Sequence, residues 1–281
     1  MTVFAGCSDS QKGASSDSAS SQAPPPDAAH YWDSFDFKDT TKSMNQEVMD
    51  GKFADFAVML YRQNDSIAVA KAVAAYLNGA MVSQGVFDTA ETSARHYFDD
   101  PDSPMRNGEL WLIFLDVMKD MPGLEDYRRE KYAYEHTRAL KNRIGTVAND
   151  FKYTTRDSGT VTTLHETPAG SEGLLLILYD SECEKCEDVM KLLGETQALN
   201  TLIAEGTLAV LAVDTHGDAK AWDYKKGSIP SSWTVGLNTD NIEEREAYAM
   251  PSMPVIFLLS PDYRVIAKDI SLANLMQLLN A

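Results

Sequence analysis

The sequence predicts an all-α domain followed by an α/β domain, and three observations point there. At 281 residues the chain exceeds one average domain. From about residue 30 to Arg143 its apolar residues recur at helical spacing, as in Phe53, Phe56, Ala57 and Leu60 or Leu110, Ile113, Phe114 and Val117. After Gly145 the texture turns Thr-rich and β-branched, and two continuous apolar runs, Leu174 to Tyr179 and Leu208 to Val213, bracket a stretch of helical length. Domain boundaries are therefore expected at residues 30–143 and 146–281, behind a leader over residues 1–29.

Residues Ser8 to Ala29 are rich in Ser, Ala, Gln and Asp and end in Pro24-Pro25-Pro26, too little apolar surface to offset the entropy of ordering, so they read as a flexible tether. Aromatics return at His30-Tyr31-Trp32. Asp65 is placed to cap a helix over Ile67 to Val82, whose apolar residues run around much of its circumference and imply burial among neighbours. Ser103-Pro104 predicts another helix start and Pro122-Gly123 a stop. Five or six helices in a bundle are expected.

In the second half, Phe151 to Thr155 and Thr160 to Leu164 flank Asp157-Ser158-Gly159, a hairpin signal. Glu187 to Ala204 is helical by its spacing of Val189, Leu192, Leu193 and Leu199, so strand, helix and strand form a right-handed βαβ unit. Pro254 to Leu259 and Tyr263 to Lys268 predict a hairpin about Ser260-Pro261-Asp262, and Leu272 to Leu279 a closing helix. The acidic run Asp240 to Glu246 reads as a solvated helix face, and His165 and His216 as isolated surface residues.

A formal net charge of −17 argues against nucleic acid or anionic lipid headgroups as partners, because the long-range field repels both. No apolar run approaches the roughly 20 residues a membrane-spanning helix needs. Any membrane association must come from an anchor. Zinc needs about four ligands, and the lone CxxC has no second CxxC or CxxH to complete a set. No metal or other cofactor is expected.

Only three cysteines occur. Two form Cys183-Glu184-Lys185-Cys186, directly after the first buried run and at the start of the following helix. Unpaired amide N–H groups and the helix dipole stabilise a thiolate there. Cys183 is expected to attack a disulfide, and Cys186, less exposed, to resolve the mixed disulfide. Glu182, Glu184, Glu187 and Asp188 oppose thiolate formation and Lys185 favours it, which fits a reductant or isomerase better than an oxidase.

The order apolar strand, Cys183-Glu184-Lys185-Cys186, then Ser252-Met253-Pro254-Val255-Ile256-Phe257 resembles the thioredoxin superfamily, in particular its TlpA-like bacterial branch, over roughly Gly145 to Ala281. The resemblance implies a thioredoxin-like fold, a cis Met253-Pro254 bond beside the CxxC, and substrate pairing to the Met253 backbone. It also places Phe151-Lys152-Tyr153 and its hairpin in the branch's N-terminal extension, and Pro230 to Trp233 with Asp240 to Ala249 in its insertion. This chain departs from the pattern at Asp180-Ser181-Glu182, and Ile177 stands where thioredoxin itself carries a buried proton-accepting acid. Residues His30 to Arg143 resemble an uncharacterised helical domain that precedes thioredoxin-like domains in Bacteroidetes lipoproteins. Val3-Phe4-Ala5-Gly6-Cys7 resembles the end of a lipoprotein signal peptide, which implies lipidation at Cys7 and a periplasmic or outer-membrane-anchored location. The expected partners are protein thiol or disulfide clients and a further redox protein. The alternative reading is a catalytically inert thioredoxin-like binding module, with the CxxC as a structural disulfide.

Overall fold

The computed structural model describes residues 28–216 and 218–279. Cys7 and the Ser8 to Ala29 tether lie outside the described residues, apart from Ala28 and Ala29.

A 3-10 helix over Ala28–Ser34 opens the helical region, followed by α1 (Thr40–Ser43), α2 (Gln46–Arg62), α3 (Ser66–Ala80), α4 (Gln84–Phe98), α5 (Gly108–Lys119) and α6 (Asp126–Ala139). Short polar side chains start four of them by accepting the orphan amides of the first turn: Asn45 for α2, Asp65 for α3, Ser83 for α4 and Asn107 for α5. Asp65 Oδ1 accepts from the amides of Ile67 (2.9 Å) and Ala68 (3.3 Å), as its position suggested. Ser103-Pro104 does not start a helix. The Ser103 hydroxyl donates to the carbonyl of Tyr97 instead (2.7 Å), closing a buried turn, and Asn107 caps α5 four residues later.

Phe53, Phe56, Ala57 and Leu60 are all fully buried, so the helical spacing read from the sequence does mark the core face of α2. They pack with Trp32, Tyr76, Phe98 and Phe114 in one aromatic core, with Trp32 and Tyr76 centroids 4.6 Å apart and Phe53 and Phe56 centroids 5.5 Å apart. Such pairs add stabilisation of about 0.5–1.5 kcal/mol beyond their area burial. Helix α6 buries only Tyr132 fully and is instead docked by polar contacts, among them Arg95 with Glu135 (3.0 Å), Arg128 with Asp88, and the Tyr132 hydroxyl donating to Glu91 (2.5 Å).

The second half is a seven-stranded sheet. Its elements are β1 (Lys152–Thr155), β2 (Val161–Thr163), β3 (Gly173–Tyr179), α7 (Glu184–Glu195), α8 (Gln197–Ala204), β4 (Leu208–Asp214), α9 (Ala219–Lys225), β5 (Thr234–Asn238), β6 (Val255–Leu259), β7 (Val265–Ala267) and α10 (Leu272–Leu279). The strand order is β2-β1-β5-β4-β3-β6-β7, with β3, β4 and β5 parallel and the rest antiparallel. Every residue of the inner strand β3 is buried, because both faces are covered. Leu175, Ile177 and Tyr179 face the side that carries Cys186, Leu193 and Leu275, whereas Leu174, Leu176 and Leu178 face Phe151, Tyr248 and Phe257.

That second face explains where the acidic run goes. Asp240 to Glu246 is not a helix: Asn241 and Glu246 take positive φ, and the segment turns inward to bury Ile242, Ala247 and Tyr248 against the even residues of β3. Covering an apolar sheet face outweighs the solvation preference of the flanking carboxylates. Three further expectations are corrected. The stretch Glu187 to Ala204 is two helices, α7 and α8, broken at an extended Thr196 whose Oγ1 donates back to the Leu192 carbonyl (2.8 Å). His165 is not a free surface residue: its Nε2 lies 2.8 Å from the Ala148 carbonyl, and its ring stacks on Tyr263 at 5.0 Å. The second arm of the last hairpin shortens to β7, because the register shifts at Leu258/Leu259 and Tyr263 takes positive φ.

The two halves touch through polar contacts. Lys268 Nζ donates to the carbonyl of Ala139 (2.8 Å) at the end of α6, Arg106 to the carbonyl of Asp269 (3.0 Å), and Asn142 to the carbonyl of Ala247 (3.0 Å).

Candidate active site

Strand β3 delivers the chain to the site. At its end Thr215 donates its amide to the Tyr179 carbonyl (2.9 Å), and Asp180-Ser181-Glu182 turn the chain so that Cys183 becomes the N-cap of α7. A thiol at an N-cap takes the role usually held by Ser or Asp. The Cys186 amide donates to Cys183 Sγ at 3.2 Å, and the Glu187 amide to the Cys183 carbonyl at 3.2 Å. The sulfur that sequence reasoning assigned to attack is thus half-buried and faces an N–H donor at a helix start, the geometry that favours negative charge on sulfur. Cys186 is 1% exposed, and burial above all pushes its thiol well up from the ordinary range, with the neighbouring Cys183 sulfur adding to the shift. Both cysteines are free thiols.

The register of β3 against β6 places the expected facing wall. Leu178 pairs with Val255, so Pro254 comes beside Tyr179, at the same sheet end as the CxxC loop. The Met253-Pro254 bond is cis. Met253 and Cys183 pack against the same hydrophobic core. The structure therefore brings Cys183, Cys186, Met253 and Pro254 to one end of the sheet.

Charges around the pair differ in detail from the sequence reading. Lys185 reaches across to the helical half, its Nζ 3.4 Å from Asp102 Oδ1, so its charge is shared with a carboxylate. Glu187 pairs with Lys225, and Glu182 lies 3.9 Å from His216. All four of Glu182, Glu184, Glu187 and Asp188 are exposed, where solvent screens them.

Sequence reasoning missed Asp214. Fully buried at the end of β4, it accepts from the Ser181 amide (3.1 Å) and the Ser181 hydroxyl through Oδ2, and from the His216 amide (3.0 Å) through Oδ1. It pins the loop that carries Cys183. The available signal was a lone acid directly ending the apolar run Leu208 to Val213. Replacing Asp214 by alanine strands three donors and is expected to lower stability by about 3 kcal/mol, read from the midpoint of a urea titration, whereas asparagine, which keeps one acceptor, should cost less. Ile177, where the resemblance would place a buried acid, is itself fully buried and apolar. On the same face, the Tyr179 hydroxyl is buried without a hydrogen-bond partner and lines a cleft with Cys183, Met190 and Lys225.

Among the described residues no three His, Cys, Asp or Glu side chains converge as metal ligands, and no helix is long and apolar enough to cross a membrane.

Residues 28–142 match the family described as a domain of unknown function, DUF5106. Over 90% of both chains, the structure superposes on that of a thioredoxin-like protein from Bacteroides caccae with a TM-score of 0.80 at 28% identity. The chain is a thioredoxin-like protein with an N-terminal DUF5106 domain. Over 49% of this chain and 98% of that one, the structure also aligns with a conserved protein of unknown function from Bacteroides fragilis, at 32% identity and a TM-score of 0.45. A thioredoxin domain of a thiol-disulfide oxidoreductase from Bacteroides vulgatus aligns at 18% identity and a TM-score of 0.43, over 49% of this chain and 96% of that one. No curated protein matches the chain at a significant level.

Proposed function

We propose that this thioredoxin-like protein is a thiol-disulfide oxidoreductase of the cell envelope, of reductase or isomerase type, that acts through Cys183 and Cys186. The observation that carries the reading is the asymmetry of the pair: one thiol half-exposed at a helix N-cap and facing an amide, the other buried and held protonated. In the reduced protein the Cys183 thiolate attacks one sulfur of a client disulfide. The client S–S bond breaks, its other sulfur leaves as a thiolate and takes up a proton, and Cys183 is joined to the client. Cys186 then gives up its proton and attacks Cys183 Sγ, which expels the second client thiolate and leaves a Cys183–Cys186 disulfide. Two electrons pass to the client, and a partner dithiol must return them. In the isomerase mode the freed client thiolate attacks elsewhere before Cys186 acts. Met253 and Pro254 form the facing wall against which an extended client segment lies.

Reduction of insulin, with dithiothreitol as electron source, tests this reading. The wild type is expected to shorten the onset of precipitation and Cys183→Ser to return it to the uncatalysed time. A wild type no faster than buffer supports the inert binding module instead.

The location rests on Phe4-Ala5-Gly6-Cys7, outside the described residues. Cys7 is the acylated N-terminus of the mature protein in this reading, and mass spectrometry of protein from native membranes should find an S-diacylglyceryl group on it, with or without a further acyl chain on its amine. An unmodified Cys7, or a mature start elsewhere, ends the anchoring proposal and leaves the redox reading untouched.

A further inference from the structure

Lys185 is the one cation inside the Cys183–Cys186 turn, two residues on from the thiol that faces the amide. Four carboxylates flank it in the chain, at Glu182, Glu184, Glu187 and Asp188, yet among the described residues none of them lies within ion-pairing distance of its Nζ. Its partner comes from the other half of the molecule, Asp102 Oδ1 at 3.4 Å, 83 residues earlier in the chain.

Asp102 is carried on a pinned turn. Its amide donates to Asp100 Oδ1 (2.9 Å), and the next residue, Ser103, donates its amide to the Asp100 carbonyl (3.1 Å) and its hydroxyl to the Tyr97 carbonyl (2.7 Å). A few residues on, Arg106 donates to the Asp269 carbonyl (3.0 Å), which ties the same connection between α4 and α5 to the thioredoxin-like half. A short side chain on a fixed turn spares part of the entropy that pairing two mobile side chains costs. Both partners are exposed, 55% for Lys185 and 84% for Asp102, so the pair adds little to stability. The redox equilibrium of the cysteines gauges it better, because a thiolate exists in the reduced state and not in the disulfide.

We propose that Asp102 is a positioning residue through which the helical half makes the cysteine pair more strongly reducing. It holds Lys185 toward the α4–α5 connection and offsets its charge, so the Cys183 thiolate loses a stabilising cation. The disulfide loses nothing, and electrons pass more readily to a client. This role presupposes the dithiol–disulfide chemistry of the proposed function and gives the helical domain a part in it.

Equilibration with glutathione tests the role: the protein dithiol and glutathione disulfide exchange to the protein disulfide and two glutathione thiols, with two electrons and two protons passing to glutathione. The full chain carries Cys7→Ser throughout, so that Cys183 and Cys186 are its only thiols. At low salt and about pH 8, near the ordinary thiol value, Asp102→Asn is expected to lower the constant for disulfide formation. The expected change is about two- to threefold, the scale of an exposed ion pair. Asp102→Glu should keep the wild-type constant. Lys185→Gln should raise it, and in that background Asp102→Asn should change nothing further. In about 1 M salt, where charges are screened beyond about 3 Å, wild type and Asp102→Asn should converge. An Asp102 that only stabilised the fold would move the melting temperature and leave these constants alone. The role is overturned if Asp102→Asn leaves the low-salt constant unchanged or raises it, or if its effect survives Lys185→Gln or about 1 M salt. A wild type that forms no Cys183–Cys186 disulfide at any glutathione ratio overturns the redox reading as well, whereas a disulfide whose constant is indifferent to Asp102 overturns this role alone.

Discussion

Cys186→Ala is expected to turn a transient catalyst into a trap, accumulating client proteins as mixed disulfides on Cys183 to near the amount of the variant itself. Attack requires only the half-exposed Cys183, whose Sγ accepts the residue 186 amide, and alanine preserves that amide. Resolution requires the second thiol, which alanine removes. Cys183→Ala should trap almost nothing, because Cys186 is 1% exposed and its thiol stays protonated at neutral pH. Non-reducing electrophoresis of cell-envelope extracts after acid quenching reads the outcome. Equal trapping by both variants would reverse or erase the assigned roles. Trapping by neither, together with no insulin reduction by the wild type, would leave the inert module as the better account. In the wild type, release of a preformed mixed disulfide should quicken as pH rises, since the raised Cys186 thiol must lose its proton first.

The parts of this site that could be read in the sequence share one property: local order. An apolar run, a CxxC and an amphipathic stretch are contiguous, so β3, the Cys183 N-cap and the buried position of Cys186 followed directly from pattern. The helical spacing of Phe53, Phe56, Ala57 and Leu60 was legible for the same reason. Features set by distant contacts were not. Asp214 matters because β4 ends beside Ser181, 33 residues back in the chain. Strand β5 carries Gly236 in its middle and ends on Asn238, so its sequence lacks a strand signature, and α9 has Trp222 as its single buried residue. Asp240 to Glu246 is acidic enough to read as solvated, yet Ile242 is drawn under the sheet. The break at Thr196 has no proline to announce it. Nothing in the local sequence marks Lys268 or Arg106, and only the meeting of the two halves places one on the end of α6 and the other on Asp269.

Alkaline pH is expected to unfold both halves. Burial raises the Cys186 thiol and, on either side of the chain, the phenols of Tyr76, Tyr132, Tyr179 and Tyr248, each above its ordinary value. Nearby carboxylates add to the tyrosine shifts: Asp50 for Tyr76, Glu91 for Tyr132, Asp214 for Tyr179 and Asp150 for Tyr248. A folded-state value raised above the unfolded one means that the native state keeps its proton when the unfolded chain has lost it. Unfolding then releases protons, so the stabilisation is complete below the unfolded values, roughly pH 8.5 for the thiol and 10 for the phenols, and drains away above them. Each group contributes about 1.4 kcal/mol per pH unit in that window. With total stabilities of about 5–15 kcal/mol typical of such domains, a loss of several kcal/mol between roughly pH 10 and 11 is enough to unfold them. Urea titrations across this range should show the midpoint flat at neutral pH, falling slightly from the thiol value and steeply from the phenol value. Cys186→Ala should remove the early, shallow part alone. Phenolate absorbance should appear for these tyrosines only together with loss of helical circular dichroism. If all the tyrosines ionise near their ordinary value with the fold intact, the buried phenols are accessible to solvent and the packing around them is looser than their burial requires.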